Sequence, residues 1–293
     1  MTRINRVIEL LSQDQPAFYY GSHSGLELTY ENGITQSATE ADYINIGMEH
    51  GPFDMTGLDQ FMRGLVDGGP TRSGHRTPAV IVEAPVIGES AEAIRYNTWQ
   101  FRQILGRGVH GILLCHVENA AAVKAFVEVC RFPRNQIGVG AGLDIGTRGV
   151  GAQAAPAEIW GLTSDEYIDK ADVWPLNPDG ELMLGLKIEN IRALENAEES
   201  LAVPGIAFAE WGPGDMAMSM GLDRWEGEGW HPRMFEARER IRAACNKNNV
   251  AFLEGLKSGQ EVQQFDEGVR ISNYSNSTSA AVARKHAGRK MPI

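Results

Sequence analysis

The chain has 293 residues, 43% hydrophobic and 22% charged, with a formal net charge of −11. Such a chain can bury a large core and is long enough for an α/β barrel of about 250 residues in one domain. The acid excess argues against nucleic acid and anionic membranes as main partners, although a cation and backbone amides can reverse the sign locally for an anionic substrate. The three cysteines, Cys115, Cys130 and Cys245, have no CxxC spacing, which disfavours a structural zinc or a disulfide framework and suits a reducing cytoplasm. No run of about 18 apolar residues and no signal-peptide core is present, so a cytoplasmic location without membrane contact is expected.

Taken in order, the amino terminus (residues 1–15) predicts an amphipathic helix with Ile4, Val7, Ile8 and Leu11 on one face. Ala17 to Gly21 reads as a strand, and Ser22 to Ala41 as a loop with room for a short helix. Asp42 to Gly47 is a strand leading into Met48-Glu49-His50-Gly51-Pro52. Thr56 is the predicted cap of a helix that stops at Gly68 and Gly69. Pro70 to Pro78 is a loop carrying Arg72 and Arg76. Ala79 to Ala84 is a strand with Glu83 near its end, and Ser90 caps a helix predicted to run through Leu105. Gly111 to Val117 is a strand that places His116 at its C-terminal end, and Asn119 caps the helix after it.

Ile137 to Ala141 is expected to form an accessory strand. Leu143 to Gly180 is the longest excursion, with one helix expected around Ser164 to Asp172; loops of this length are often lids or interface elements. A strand then ends at Glu189, and Asn190 caps a helix. Gly205 to Ala209 is a strand that breaks into Gly212-Pro213-Gly214-Asp215. A helix from Pro232, strands at Val250 to Glu254 and Gly268 to Ser272, and a helical tail complete the chain.

Eight strands separated by helices, with no hairpin signal, predict a parallel α/β fold. A closed (β/α)8 TIM barrel is preferred to an open sheet, because no GxGxxG follows the first strand and polar candidates follow many different strands. The expectation is a single barrel domain over 1–293, with the helix of 1–15 in front and an inserted loop region at about 149–178. His50, Glu83, His116, Glu189 and Asp215 then face one rim. Two acids, Glu189 and Asp215, each delivered by a strand end, provide what a hard divalent cation needs. The glycines of Gly212-Pro213-Gly214 let the backbone approach a ligand closely.

The stretches GMEHGPFD, IEN and WGPGDMAMSMG resemble the signatures of the HpcH/HpaI family of class II pyruvate aldolases, over roughly Ala17 to Ser275. The resemblance implies a (β/α)8 barrel, a divalent metal such as Mg²⁺, Mn²⁺ or Co²⁺, reversible carbon–carbon cleavage giving pyruvate or a relative, and a homo-hexamer. Carried over by position, Glu189 and Asp215 fall on the metal carboxylates and His50 on the general base. The segment Gly212 to Asp215 falls on the amides that hold the oxo-acid carboxylate. Three positions depart from the pattern: Glu83 replaces an arginine, Gly47 an aspartate and Lys187 a glutamine. His116 stands where an apolar residue is expected.

Lys187 and Glu189 share a strand face, so Lys187 is expected to enter the lumen and pair with Glu83. Arg72 or Arg76 is an alternative replacement for the missing guanidinium. His116 is a candidate substrate contact, and Trp211 either packs against the rim or stacks a substrate. The leading expectation is a metal-dependent carbon–carbon lyase acting next to a 2-oxo acid enolate. The alternatives are a metal-dependent decarboxylase, hydrolase or hydratase, a Schiff-base lyase using Lys187, and a non-catalytic oxo-acid binder.

Overall fold

The structure, a computed structural model, describes residues 3–223 and 229–293. The chain opens with α1 (Arg6–Leu11), β1 (Ala17–Ser22), α2 (Tyr30–Gln36), β2 (Tyr43–Gly47) and α3 (Met55–Gly68). It continues with β3 (Ala79–Ile87), α4 (Ala91–Tyr96), α5 (Thr98–Leu105), β4 (Gly111–Cys115) and α6 (Ala120–Cys130). The excursion holds α7 (Ala154–Trp160), α8 (Ser164–Lys170) and β5 (Val173–Trp174) before β6 (Leu182–Ile188). Next come α9 (Ile191–Glu195), α10 (Ala197–Leu201), β7 (Ile206–Trp211), α11 (Pro213–Ser219) and α12 (Pro232–Lys247). The chain closes with β8 (Ala251–Leu253), α13 (Glu261–Glu267), β9 (Val269–Asn273) and α14 (Ser277–His286).

All strand pairs are parallel, in the order β1-β2-β3-β4-β6-β7-β8-β9, and β9 returns to β1 through Ala17↔Ile271. The result is a closed eight-stranded barrel wrapped by helices, as the strand–helix alternation predicts. β5 pairs with the first two residues of β6, just before β7 takes over as its neighbour.

Period-two alternation sorts the side chains. Ile44, Ile46, Val80, Val82, Ile112, Leu114, Leu184, Leu186 and Ile188 point outward into the layer shared with the helices. Tyr43, Ile81, Leu113 and Met183 point inward and fill the lumen together with Tyr19 and Ile271. Val7, Ile8 and Leu10 of α1 join this inner cluster and plug the N-terminal end of the barrel. At that end Asp42 is fully buried among Arg6, Arg284 and Arg289, with Arg6 Nη2 at 3.2 Å and Arg284 Nη2 at 3.3 Å.

Several local expectations are corrected. Asp54, not Thr56, caps α3, its Oδ1 accepting from the Gly57 N–H at 2.8 Å. The helix after Ser90 breaks at Asn97 into α4 and α5. Ile137–Ala141 forms no strand. Gly138, Gly140 and Gly142 all have positive φ, and a single bridge, Val139↔Leu143, replaces the ladder. The excursion carries α7 and β5 besides the one helix expected there. The amino-terminal helix is confined to Arg6–Leu11 because Asn5 caps it, its Oδ1 accepting from the Val7 N–H at 3.0 Å; residues 1 and 2 lie outside the described residues. Among the described residues no helix is long and apolar enough to cross a membrane.

Candidate active site

The same alternation that fills the lower lumen with apolar groups brings charge into its upper half. Glu83 of β3, Lys187 of β6 and Glu210 of β7 point inward, and Glu189 follows one residue after β6. Glu49 enters from the loop after β2. Lys187 Nζ donates to Glu49 Oε2 at 2.6 Å and lies 3.1 Å from Glu83 Oε2. The expected pairing of Lys187 with Glu83 is therefore present, with Glu49 as a second partner. Asn45 Nδ2 also donates to Glu83, and His23 Nδ1 lies 2.8 Å from Glu83 Oε1.

The absence of a side chain at Gly47 has a steric reason: a Cβ there would lie 2.0 Å from the His23 carbonyl oxygen. The acid nearest His50 is instead Glu49, whose Oε2 is 3.5 Å from His50 Nε2. His50 itself is more than half exposed at the rim.

His116 directly follows β4 with φ +47. Its Nε2 lies 3.3 Å from Glu49 Oε1, its Nδ1 3.6 Å from Glu189 Oε1, and its backbone N–H donates to Glu189 Oε1 at 2.9 Å. Glu189 is 2% exposed. A Cβ on Gly212 would fall 2.5 Å from Glu189 Oε2, so glycine there keeps the carboxylate in place. Asp215 sits in the first turn of α11 and is exposed.

These surroundings set the protonation states. Burial works to raise the pKa of Glu49, but hydrogen bonds from His116 and Lys187 overcome it and hold the carboxyl far below its usual range. Burial likewise opposes ionisation of Glu83, and His23 and Lys187 outweigh it. Glu189 keeps a raised pKa because burial exceeds the help from Lys187 and His116. Glu210 is pushed up to about 7, again chiefly by burial. Burial would lower Lys187, yet the anionic groups around it raise it well above the ordinary lysine value. The hydrogen bond to Glu49 raises His116.

A carboxylate-rich, desolvated cluster of this kind suits a divalent cation. Among the described residues, Glu49, His116 and Glu189 have donor atoms all within 4.8 Å of one another, as do Glu49, Glu83 and Cys115. Burial pushes the Cys115 thiol well up, which keeps it protonated and makes it the poorer ligand. Asp215 belongs to neither group. Beside the cluster, a cavity of about 280 Å³ opens between His23, Glu210, Trp211, Trp230, Lys257 and Asn273.

Other expectations fall elsewhere. Arg72 and Arg76 lie in the loop that precedes β3, at the N-terminal end of the barrel and opposite the charged rim. Arg72 faces Glu40 at 3.8 Å, and Arg76 Nε donates to the Ile159 carbonyl at 3.0 Å. Neither reaches the site, because parallel strands put every preceding loop on the far face. Trp211 is buried and packs edge-on against Trp230 at 4.9 Å, so it is a wall and not an exposed stacking surface. Of Gly212, Pro213 and Gly214, Gly212 lies against the Glu189 carboxylate, and Pro213, the first residue of α11, has no N–H to offer a ligand. Sequence reading missed Glu49, Glu210 and His23 as site residues. Glu210, an acid inside the apolar strand IAFAEW, carried a usable signal; His23, in a glycine-containing loop, carried none.

The family model for HpcH/HpaI aldolase/citrate lyase matches residues 89–273. A hydroxypyruvate/pyruvate aldolase of Cupriavidus necator is 30% identical over 198 residues, 68% of this chain and 60% of that protein. A 2-keto-3-deoxy-L-rhamnonate aldolase of Klebsiella pneumoniae is 32% identical over 149 residues, 50% of this chain and 49% of the relative. The matched segments thus span about half to three-fifths of these relatives. A crystal structure of an HpcH/HpaI aldolase/citrate lyase family protein from Burkholderia cenocepacia has the same fold, with a TM-score of 0.70 at 21% identity over 97% of both chains. A closed parallel barrel with a charged C-terminal rim defines the class, and the chain belongs to the HpcH/HpaI aldolase/citrate lyase family.

Proposed function

We propose that the protein is a divalent-metal-dependent aldolase that makes or breaks a carbon–carbon bond next to the enolate of a pyruvate-type 2-oxo acid. The observation that carries this reading is the buried Glu189 carboxylate at the rim, held between Gly212 and the His116 N–H, with a raised pKa that a cation would relieve. Relatives named as hydroxypyruvate/pyruvate and 2-keto-3-deoxy-L-rhamnonate aldolases support it. Glu189 would hold the ion, and Asp215, exposed in the first turn of α11, would turn toward it as the second carboxylate. A bound divalent ion supplies positive charge against the enolate that cleavage leaves behind.

This chain's own groups do the rest. His50, steadied by Glu49 at 3.5 Å, takes the proton from the hydroxyl on the carbon being released. The carbon–carbon bond then breaks, its electron pair enters the enolate, and the hydroxyl carbon leaves as an aldehyde. The Gly214 and Asp215 amides meet the oxo-acid carboxylate. Lys187 and Glu83 set the local field. Held as an ammonium by two carboxylates, Lys187 is the opposite of the free amine a Schiff base needs. Mg²⁺, Mn²⁺ and Co²⁺ are all compatible with the carboxylates, and assembly into a homo-oligomer follows from the family resemblance. Analytical ultracentrifugation checks the assembly. The reaction is tested by aldol cleavage with pyruvate and hydroxypyruvate detection. Activity should vanish with EDTA, return with metal and be lost in Asp215→Ala; turnover indifferent to both overturns the proposal.

A further inference from the structure

We propose that His23 is a second catalytic histidine, one that moves the proton at the carbon end of the enolate while Glu83 holds its ring. The proposal rests on the aldolase reading above. It adds to that reading the proton that the enolate carbon must gain before the oxo acid can leave.

Three observations carry it. His23 directly follows β1, and its Nδ1 lies 2.8 Å from Oε1 of Glu83, a fully buried carboxylate. A carboxylate at one ring nitrogen keeps a proton there, fixes the ring and leaves the other nitrogen for chemistry. That other nitrogen, Nε2, lies 3.8 Å from Glu210 Oε1, and both residues line the cavity of about 280 Å³. The contact with Glu83 also raises the His23 pKa against the opposing effect of burial, which brings the charged ring closer to neutral pH.

Second, the cavity adjoins the place where the enolate forms. Trp211 and Pro213, which line it, flank Gly212, and Gly212 lies against the Glu189 carboxylate. Third, the neighbouring proton donors are engaged. Lys187 is held by Glu49 and Glu83. Burial, with Glu210 and Glu83 nearby, raises the Tyr19 hydroxyl too far to yield its proton near neutral pH. His50 stands at Glu49 and serves the hydroxyl.

In the cleavage direction Nε2–H gives its proton to the enolate carbon. The π pair of the enolate forms the new C–H bond, the keto group is restored, and the neutral ring regains a proton from water at the cavity mouth. Condensation runs the same transfer backwards, with neutral Nε2 removing a methyl proton from pyruvate.

The test uses the full chain with Mg²⁺ or Mn²⁺ and pyruvate in D₂O, without aldehyde, and follows deuterium entering the methyl group by mass spectrometry. Wild type should exchange these protons only with metal present. His23→Gln and His23→Ala should each slow exchange by about 10²- to 10⁴-fold. Added imidazole, small enough for the cavity, should restore exchange in His23→Ala, a rescue that a merely structural histidine does not give. Exchange that persists in both variants, or a loss in His23→Ala that imidazole leaves untouched, overturns the proposal. Aldol cleavage in a wild type that shows no exchange sinks the proposal and leaves the aldolase reading standing. Exchange that depends on His23, with no cleavage of any aldol, counts against the aldolase reading and upholds the proton transfer. Neither exchange nor cleavage overturns both.

Discussion

Lys187 Nζ and Glu49 Oε2, 138 positions apart in sequence, meet at 2.6 Å inside the barrel, and both side chains are more than nine-tenths buried. The pair stands at the centre of the charged rim, with Glu83 as the ammonium's second partner. Replacing Lys187 by methionine leaves two carboxylates without their cation. The expected cost is about 3–5 kcal/mol of stability, read from urea unfolding of the metal-free protein. A Lys187→Met variant as stable as wild type would show that water already neutralises these acids.

His50 is assigned the proton transfer, while the ion's ligands lie elsewhere. His50→Ala should reduce kcat for aldol cleavage by about 10²- to 10⁴-fold and leave Mn²⁺ affinity unchanged. Equal losses in kcat and in metal binding would place His50 among the ligands.

Gly212 makes room for Glu189. Its φ of −93° suits any residue, so alanine there is excluded by contact and not by backbone conformation. The new methyl would meet Glu189 Oε2 at 2.5 Å and its Cβ at 2.6 Å. Gly212→Ala should weaken Mn²⁺ binding by about tenfold or more, with secondary structure by circular dichroism intact.

Glu210 gives a pH signature. Its folded-state pKa, raised by burial from 4.5 to about 7, means that the folded protein binds a proton more tightly than the unfolded chain. This group's contribution to stability is therefore full at low pH and is lost as pH rises through 7. Glu210→Gln should flatten the stability profile between pH 5 and 7, as judged by melting in a pH series. At pH 8 the variant should be the more stable by about 3 kcal/mol.

Asp42 has the opposite sign. Burial opposes its ionisation, but Arg289, Arg284 and Arg6 prevail and hold its pKa below the ordinary 3.8. Its contribution is complete above about pH 4 and disappears as pH falls through the lowered value. Asp42→Asn should cost about 3–5 kcal/mol at neutral pH by leaving three guanidinium groups uncompensated. It should also remove part of the acid sensitivity expected below pH 4.

Much of the fold is legible because it depends on local pattern. Apolar runs such as VIV and GILLC, separated by capped helices, specify strands whose parallel closure is nearly the only way to bury them. The break at Asn97 and the turn at Gly138 to Gly142 were hidden, since a helical period survives one non-helical residue and a VG-rich run mimics a strand. At the site, Glu189, Lys187 and Glu83 could be read from their strand positions. Glu49 could not, because which member of Met48-Glu49-His50 turns inward depends on the loop's path past His23. The Arg72 and Arg76 alternative failed for a topological reason: charge sign alone says nothing about which end of a barrel a loop occupies.

The ammonium of Lys187 has one more consequence. A barrel whose mouth is lined only by acids would spring open or take up protons whenever its ion departed. Here a covalently tethered counterion remains among them, so the empty form should keep its shape in chelator, survive storage, and accept a fresh ion without refolding. Exchange of one metal for another then becomes a matter of solution supply, and the same polypeptide can be stripped and reloaded repeatedly.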